Sequence, residues 1–292
     1  MRDTLAMSPL RARFLVLSAA VLFSTGGAAI KATTLTSWQV AGLRSAIAVV
    51  AFALFLPGAR RMPSRQALFN SLAYAATMIF FVRATKLTTS ANAIFLQSTA
   101  PIWIVFLAPR LLGEPVRPRD LAFLGVLALG LVLFFLDAPT VQMTAPDPTQ
   151  GNVIAVLSGI AWAFTIVTLR WLERDEPGAS APALLLGNVI TCLICAPLAL
   201  PFGSIGAADA AAILYLGVFQ IGLAYACLTA GVRALPALEA SLLLLAEPVL
   251  NPIWTFLSHG EVPGGFALVG AAIILVATTV KTVLEAEREA TA

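Results

Sequence analysis

The sequence predicts an all-α integral membrane protein of ten transmembrane helices, arranged as two inverted five-helix repeats. Three observations predict it. Of 292 residues, 59% are hydrophobic and 11% are charged, with a mean hydropathy of +0.91. A soluble domain carries about 25% charged residues, so this chain has too little polar surface to cover a water-soluble globule. Its apolar residues fall into runs close to the roughly 20 residues that cross a bilayer as a helix. The chain also repeats itself. Ala100-Pro101 followed by Gly113-Glu114 recurs as Glu247-Pro248 followed by Gly260-Glu261, at an offset of 147 residues. The same offset carries Lys86 onto Arg233 and Asn92 onto Glu239.

Ten spans follow in order: 14–30, 38–56, 66–81, 90–111, 121–136, 153–172, 182–200, 208–232, 238–257 and 266–284. Pro57-Gly58, Gly113-Glu114-Pro115, Glu176-Pro177-Gly178 and Pro263-Gly264-Gly265 mark turns between them. The first span follows Arg11 and Arg13 and ends in small residues, the outline of a signal peptide. The many spans beyond it favour a retained helix. A Pro- and Thr-rich linker, 138–150, divides a first repeat at 1–137 from a second at 151–292.

The loop arginines set the orientation. With a cytoplasmic N-terminus, 14 of the Lys and Arg residues face the cytoplasm, and only Lys31, Arg83 and Lys86 face outward. Both termini are then cytoplasmic. Five helices per repeat is odd, so the second repeat enters the membrane from the opposite side. Inverted repeats of this kind supply the two related conformations of alternating access. The excess of Arg over Lys suits a GC-rich genome and a bacterial plasma membrane.

The stretches 87–136 and 235–280 resemble the repeat unit of the drug/metabolite transporter superfamily, EamA type. They share a small-residue helix entry, a mid-helix Pro, a Gly-Glu turn and a Gly-rich final helix. The whole chain is similar to YddG-type exporters of aromatic amino acids and related metabolites. The resemblance implies ten helices in two inverted repeats, a central substrate cavity and efflux from the cytoplasm. It is specific for fold and class and weak for substrate.

Glu247-Pro248 is the sharpest chemical feature. A carboxylate at mid-span costs roughly 2.5–3.5 kcal/mol on insertion scales, so Glu247 is expected to face a polar cavity or a partner. It can bind a substrate ammonium, carry a coupling proton, or sit protonated against a neighbouring helix. Pro248 and its counterpart Pro101 each remove a backbone hydrogen bond and are the candidate hinges. Tyr74 and Tyr225 lie deep in their spans, and the repeat sets Tyr225 opposite Met78. With Trp162 and Phe164 they can wall a pocket for a flat apolar group, or simply pack. Gln97, Gln220 and Asn251 need hydrogen-bond partners in lipid, from another helix or from substrate. Arg44 can snorkel, pair with an acid or hold a substrate carboxylate. Tyr215 suits an interfacial aromatic belt. Glu239 and Asn92 read as first-turn residues complementing helix dipoles, or as groups at a cavity mouth. Ala155, Gly159 and Ala163 permit close helix approach.

Other functions find little support. The net charge of +3 is scattered between spans without interleaved aromatics, so nucleic acid is not a partner. Cys192, Cys195 and Cys227 lie in apolar spans with no histidine pair nearby, which points to packing rather than metal. There is no Walker A, no H-E-x-x-H and no G-x-S-x-G, so neither a cofactor nor catalysis is expected. Glu173, Asp175 and Glu176 sit among Arg170 and Arg174 as in a solvated turn. The expected partners are the bilayer and a small amphipathic substrate, foremost an amino acid, with proton coupling permitted. Organic cations or nucleosides are the alternative cargo. A membrane enzyme or scaffold is the different-class alternative.

Overall fold

The computed structural model describes residues 7–56, 58–136, 144–201 and 203–260, and 265–280 in part. Among the described residues, eight helical stretches are long and apolar enough to cross a membrane. The helices are α1 (Pro9–Ser24), α2 (Gly26–Lys31), α3 (Ser37–Phe55), α4 (Arg65–Leu87), α5 (Ser90–Gln97), α6 (Ala100–Leu111) and α7 (Pro118–Leu136). After the linker come α8 (Pro148–Asp175), α9 (Ser180–Cys195), α10 (Ala207–Tyr215), α11 (Ala224–Val232), α12 (Ala237–Leu243) and α13 (Ala246–His259). The tenth expected span, 266–284, lies largely outside the described residues.

Local chemistry starts these helices where the sequence offers a cap. Ser8, Ser64, Thr89 and Asp147 each accept a backbone N–H from three residues on, and Pro follows Ser8 and Asp147 directly. Thr36 and Gln39 form a reciprocal capping box. Gly260, at φ 66°, ends α13 in the left-handed conformation that glycine adopts without strain.

Three spans expected as single helices are interrupted. Span 90–111 breaks at Ser98-Thr99, span 238–257 at Leu244-Leu245, and the first span at Thr25. The prolines explain the first two. A Pro ring collides with the carbonyl four residues back and offers no N–H to it. For Pro101 that carbonyl belongs to Gln97, the last residue of α5, and for Pro248 to Leu244, just past α12. Each Pro then lies in the first turn of the next helix, where a missing N–H leaves nothing unpaired. A fourth span changes pitch rather than breaking, with a π-helical stretch over Leu216–Leu223 joining α10 to α11. Such stretches concentrate at functional sites.

Helix α4 packs along α8 and α9, α3 along α9 and the π stretch, and α1 along α11. Small and hydroxylated residues form these contacts, as expected where lipid removes the hydrophobic drive for helix association. Asn70 donates to the Thr168 hydroxyl at 2.6 Å, and the Thr77 and Thr165 hydroxyls meet at 3.1 Å. The Ser71 hydroxyl donates to the Ala183 carbonyl at 2.8 Å.

Ion pairs gather at the arginine-rich end and correct two sequence expectations. Arg13 is not a loop residue, because α1 begins at Pro9. Arg13 is 2% exposed and pairs with Glu239 at 2.9 Å, so Glu239 does more than face a helix dipole. Nor is Glu173 solvated. It is 1% exposed, pairs with Arg233 at 3.0 Å, and accepts from the Gly178 and Ser180 N–H groups and the Ser180 hydroxyl. Asp175 and Glu176 are exposed as expected. Arg170 bonds Glu114 at 2.9 Å and the Val232 and Arg233 carbonyls, while Glu114 also accepts the Ala237 N–H that opens α12. The opposite end is held by lysines on carbonyls. Lys31 reaches those of Thr88 and Thr144, and Lys86 that of Thr33. There Asp209 accepts from the Thr34 N–H and hydroxyl.

Candidate functional site

A cavity of about 20 Å³, enough for one water molecule, lies between the interrupted spans. Eight elements supply its wall. Helix α4 contributes Thr77, Met78 and Phe81, α1 Phe23, α3 Arg44 and α8 Trp162. The remainder comes from positions where helices break or change pitch: Gln97 at the end of α5, Gln220 in the π stretch, Tyr225 opening α11, and Glu247 opening α13.

The wall has an aromatic and a polar side. Tyr225 is the hub of the first, with edge-to-face contacts to Phe23 (5.1 Å), Tyr74 (4.9 Å) and Trp162 (6.1 Å) between ring centroids. These geometries match the ring quadrupoles and fix the rings against one another. On the polar side, Gln97 donates to the Ser158 hydroxyl at 2.8 Å. Arg44 donates to Gln220 Oε1 and to the Met78 carbonyl, each at 3.3 Å. Glu247 is 8% exposed and joins no ion pair among the described residues. It sits in the first turn of α13, where the helix dipole favours negative charge.

Six of the residues expected to bind substrate meet here: Met78, Gln97, Trp162, Gln220, Tyr225 and Glu247. Tyr74 stands behind Tyr225, with its hydroxyl accepting from Asn188 at 3.0 Å. Phe164 turns away and packs on Phe69, with centroids 6.2 Å apart. It follows Trp162 by two positions, which on a helix points it to a different face. Asn251 is also elsewhere, exchanging a 3.0 Å bond with Ser90 that ties α13 to α5. Tyr215 does not serve a surface belt alone, since its hydroxyl meets that of Thr25 at 2.8 Å, at the α1–α2 break.

Phe23, Thr77 and Phe81 were not anticipated. For two of them a signal existed. Tyr74, Thr77, Met78 and Phe81 are spaced i, i+3, i+4, i+7, a single helix face, so placing Met78 opposite Tyr225 would have drawn in its neighbours. Phe23 has no comparable marker.

Known proteins give the context. A profile of the EamA-like transporter family matches residues 10–136 and again 149–282. An uncharacterized transporter of Archaeoglobus fulgidus is 26% identical over 210 residues, covering 72% of each chain. The aromatic amino acid exporter YddG of Ancylobacter novellus is 24% identical over 208 residues, covering 70% of this chain and 71% of its own. A solved crystal structure superposes with a TM-score of 0.75 at 22% identity, over 97% of this chain and 100% of the other, a likeness of fold. With its repeated family match, membrane-length apolar helices and central cavity, this chain belongs to the EamA-like transporter family.

Proposed function

We propose that this protein is a secondary transporter that exports small amphipathic metabolites, foremost amino acids with aromatic or other apolar side chains. The observation that carries the proposal is the cavity of about 20 Å³, in which an aromatic wall faces Arg44 and Glu247. An apolar side chain suits the rings, and an ammonium suits Glu247. A relative at 24% identity is named as an aromatic amino acid exporter, which supports the same cargo class.

The transport cycle is alternating access between two inverted five-helix repeats, 1–137 and 151–292, which together contribute ten helices. Both termini lie in the cytoplasm of a bacterial cell, and the arginine-rich end faces inward. The breaks ahead of Pro101 and Pro248 are the flexure points, because backbone pairing is already interrupted there. A proton on Glu247 is the candidate coupling ion. Organic cations are the second cargo, favoured by one acid beside several rings.

The test is uptake of labelled Phe, Trp, Met, Thr and Ala into proteoliposomes, with and without a pH gradient, for the wild type and Glu247→Gln. Saturable uptake of the aromatic members is expected. The substitution is expected to lower it about tenfold or more, the loss of one charged hydrogen bond. Unchanged uptake in Glu247→Gln would remove Glu247 from the site, and no uptake of any amino acid would overturn the cargo class.

A further inference from the structure

A buried guanidinium with only neutral partners at long range is an incomplete site. Arg44 is 1% exposed at the middle of α3 and lines the cavity. Its Nη1 and Nη2 reach Gln220 and Met78 at 3.3 Å, longer than the roughly 2.7–2.9 Å of charge-assisted bonds. Its Nε has no hydrogen-bond partner among the described residues. No carboxylate among the described residues is in ion-pair contact with it. The arginine-rich end behaves differently, since Arg13 and Arg170 each hold a carboxylate at 2.9 Å and Arg233 holds one at 3.0 Å. Taking a guanidinium out of water without a counter-ion is heavily unfavourable, and intramembrane arginines accordingly pair or line a polar path.

The surroundings hold this guanidinium in place. A Cβ on Gly217 would lie 2.8 Å from the Arg44 carbonyl, so the π stretch presses directly on α3. A Cβ on Gly26 would lie 2.8 Å from Gln220 Nε2, so the amide is confined between α2 and Arg44. Gln220 presents its oxygen to the cation from a fixed position.

We propose that Arg44 is an anion-binding residue of the cavity and that it takes the carboxylate of the transported molecule. Gln220 and Met78 hold its donors only through long bonds to neutral groups, which a carboxylate can displace. Glu247, on the same cavity, receives the cationic end. This rests on the transport proposal and narrows it: a good substrate is a zwitterion with a carboxylate, and an amine lacking one is a poor substrate. The guanidinium is the specificity determinant, because its planar fork matches a carboxylate.

The experiment is ligand-induced thermal stabilisation of the purified protein, which needs no transport. Three ligands share a phenyl ring: phenylalanine, phenylpropionate without the ammonium, and phenethylamine without the carboxylate. The wild type is expected to bind phenylalanine best, phenylpropionate next and phenethylamine least. Arg44→Gln is expected to weaken the two carboxylate ligands about tenfold or more and to leave phenethylamine unchanged. Gln220→Glu is the second variant, for the case in which Arg44→Gln does not fold. It sets an internal carboxylate on the guanidinium, so it is expected to fold at least as stably as the wild type and to lose phenylpropionate binding. Phenethylamine binding as tightly as phenylalanine, or Gln220→Glu keeping wild-type affinity for phenylpropionate, would overturn the proposal. Carboxylate-dependent stabilisation without amino-acid uptake would sink the export proposal and leave Arg44 as the carboxylate-binding residue of the cavity.

Discussion

Glu173→Ala is expected to destabilise the protein by about 3 kcal/mol or more, read as a fall in the unfolding midpoint in detergent. The carboxylate serves two jobs from the end of α8. It accepts the N–H groups of Gly178 and Ser180, which open α9, and it pairs with Arg233 beyond α11 at 3.0 Å. Removing it leaves two N–H donors without their acceptor and a guanidinium without its counter-ion. Each buried donor left unsatisfied costs about 1–3 kcal/mol. Arg233 is 45% exposed and can turn to water, so the loss falls mainly on the start of α9. Asp175→Ala is the control. Its pair with Arg174 is exposed on both sides, and such pairs contribute about 0–1 kcal/mol. Equal midpoints for the two variants would contradict the dual role of Glu173.

Gly159→Ala is the second large effect, expected to cost about 1–3 kcal/mol through overpacking and to slow transport. A Cβ at this position would lie 2.9 Å from the Leu96 carbonyl oxygen and 3.0 Å from that of Gln97. Both are backbone atoms at the end of α5, so no side chain can swing aside. Helix α8 must instead move away from the α5–α6 break. Gln97 lines the cavity and bonds Ser158, so the displacement reaches the site directly. Gly125→Ala in α7 is the comparison, because a Cβ there meets nothing within 4 Å. A Gly159→Ala protein as stable and as active as Gly125→Ala would contradict the close approach.

Much of this architecture was legible because membrane insertion enforces it. Apolar length marks the spans, but it does not show where they break: the interruptions lie just ahead of Pro101 and Pro248, while Pro109 and Pro252 sit inside the unbroken α6 and α13. The repeat added spatial information, since it set Tyr225 opposite Met78, and both reach the cavity. Glu247 was conspicuous because its charge is expensive at that depth. Glu173 was misjudged for the opposite reason. In a loop-flanking run of charges, burial depends on which helices converge there, and Arg233 arrives from about sixty residues away. The π stretch left no trace in an apolar run that suits an ordinary helix equally well. Phe164 shared composition with the true wall residues, and only the helix face separated it from Trp162.

The central claim is that substrate passes through this cavity, open to one side of the membrane at a time. Thr77 is 1% exposed and lines the cavity, and its hydroxyl bonds the Ala73 carbonyl and meets the Thr165 hydroxyl, so cysteine, close in size, gives up one interhelical hydrogen bond. The direct measurement is labelling of Thr77→Cys by a membrane-impermeant thiol reagent, in protein whose Cys192, Cys195 and Cys227 are replaced. Reagent is applied from each side of oriented vesicles, with and without phenylalanine. The account predicts modification from both sides, slowed by phenylalanine. Modification from neither side, or at a rate that phenylalanine leaves unchanged, would contradict it.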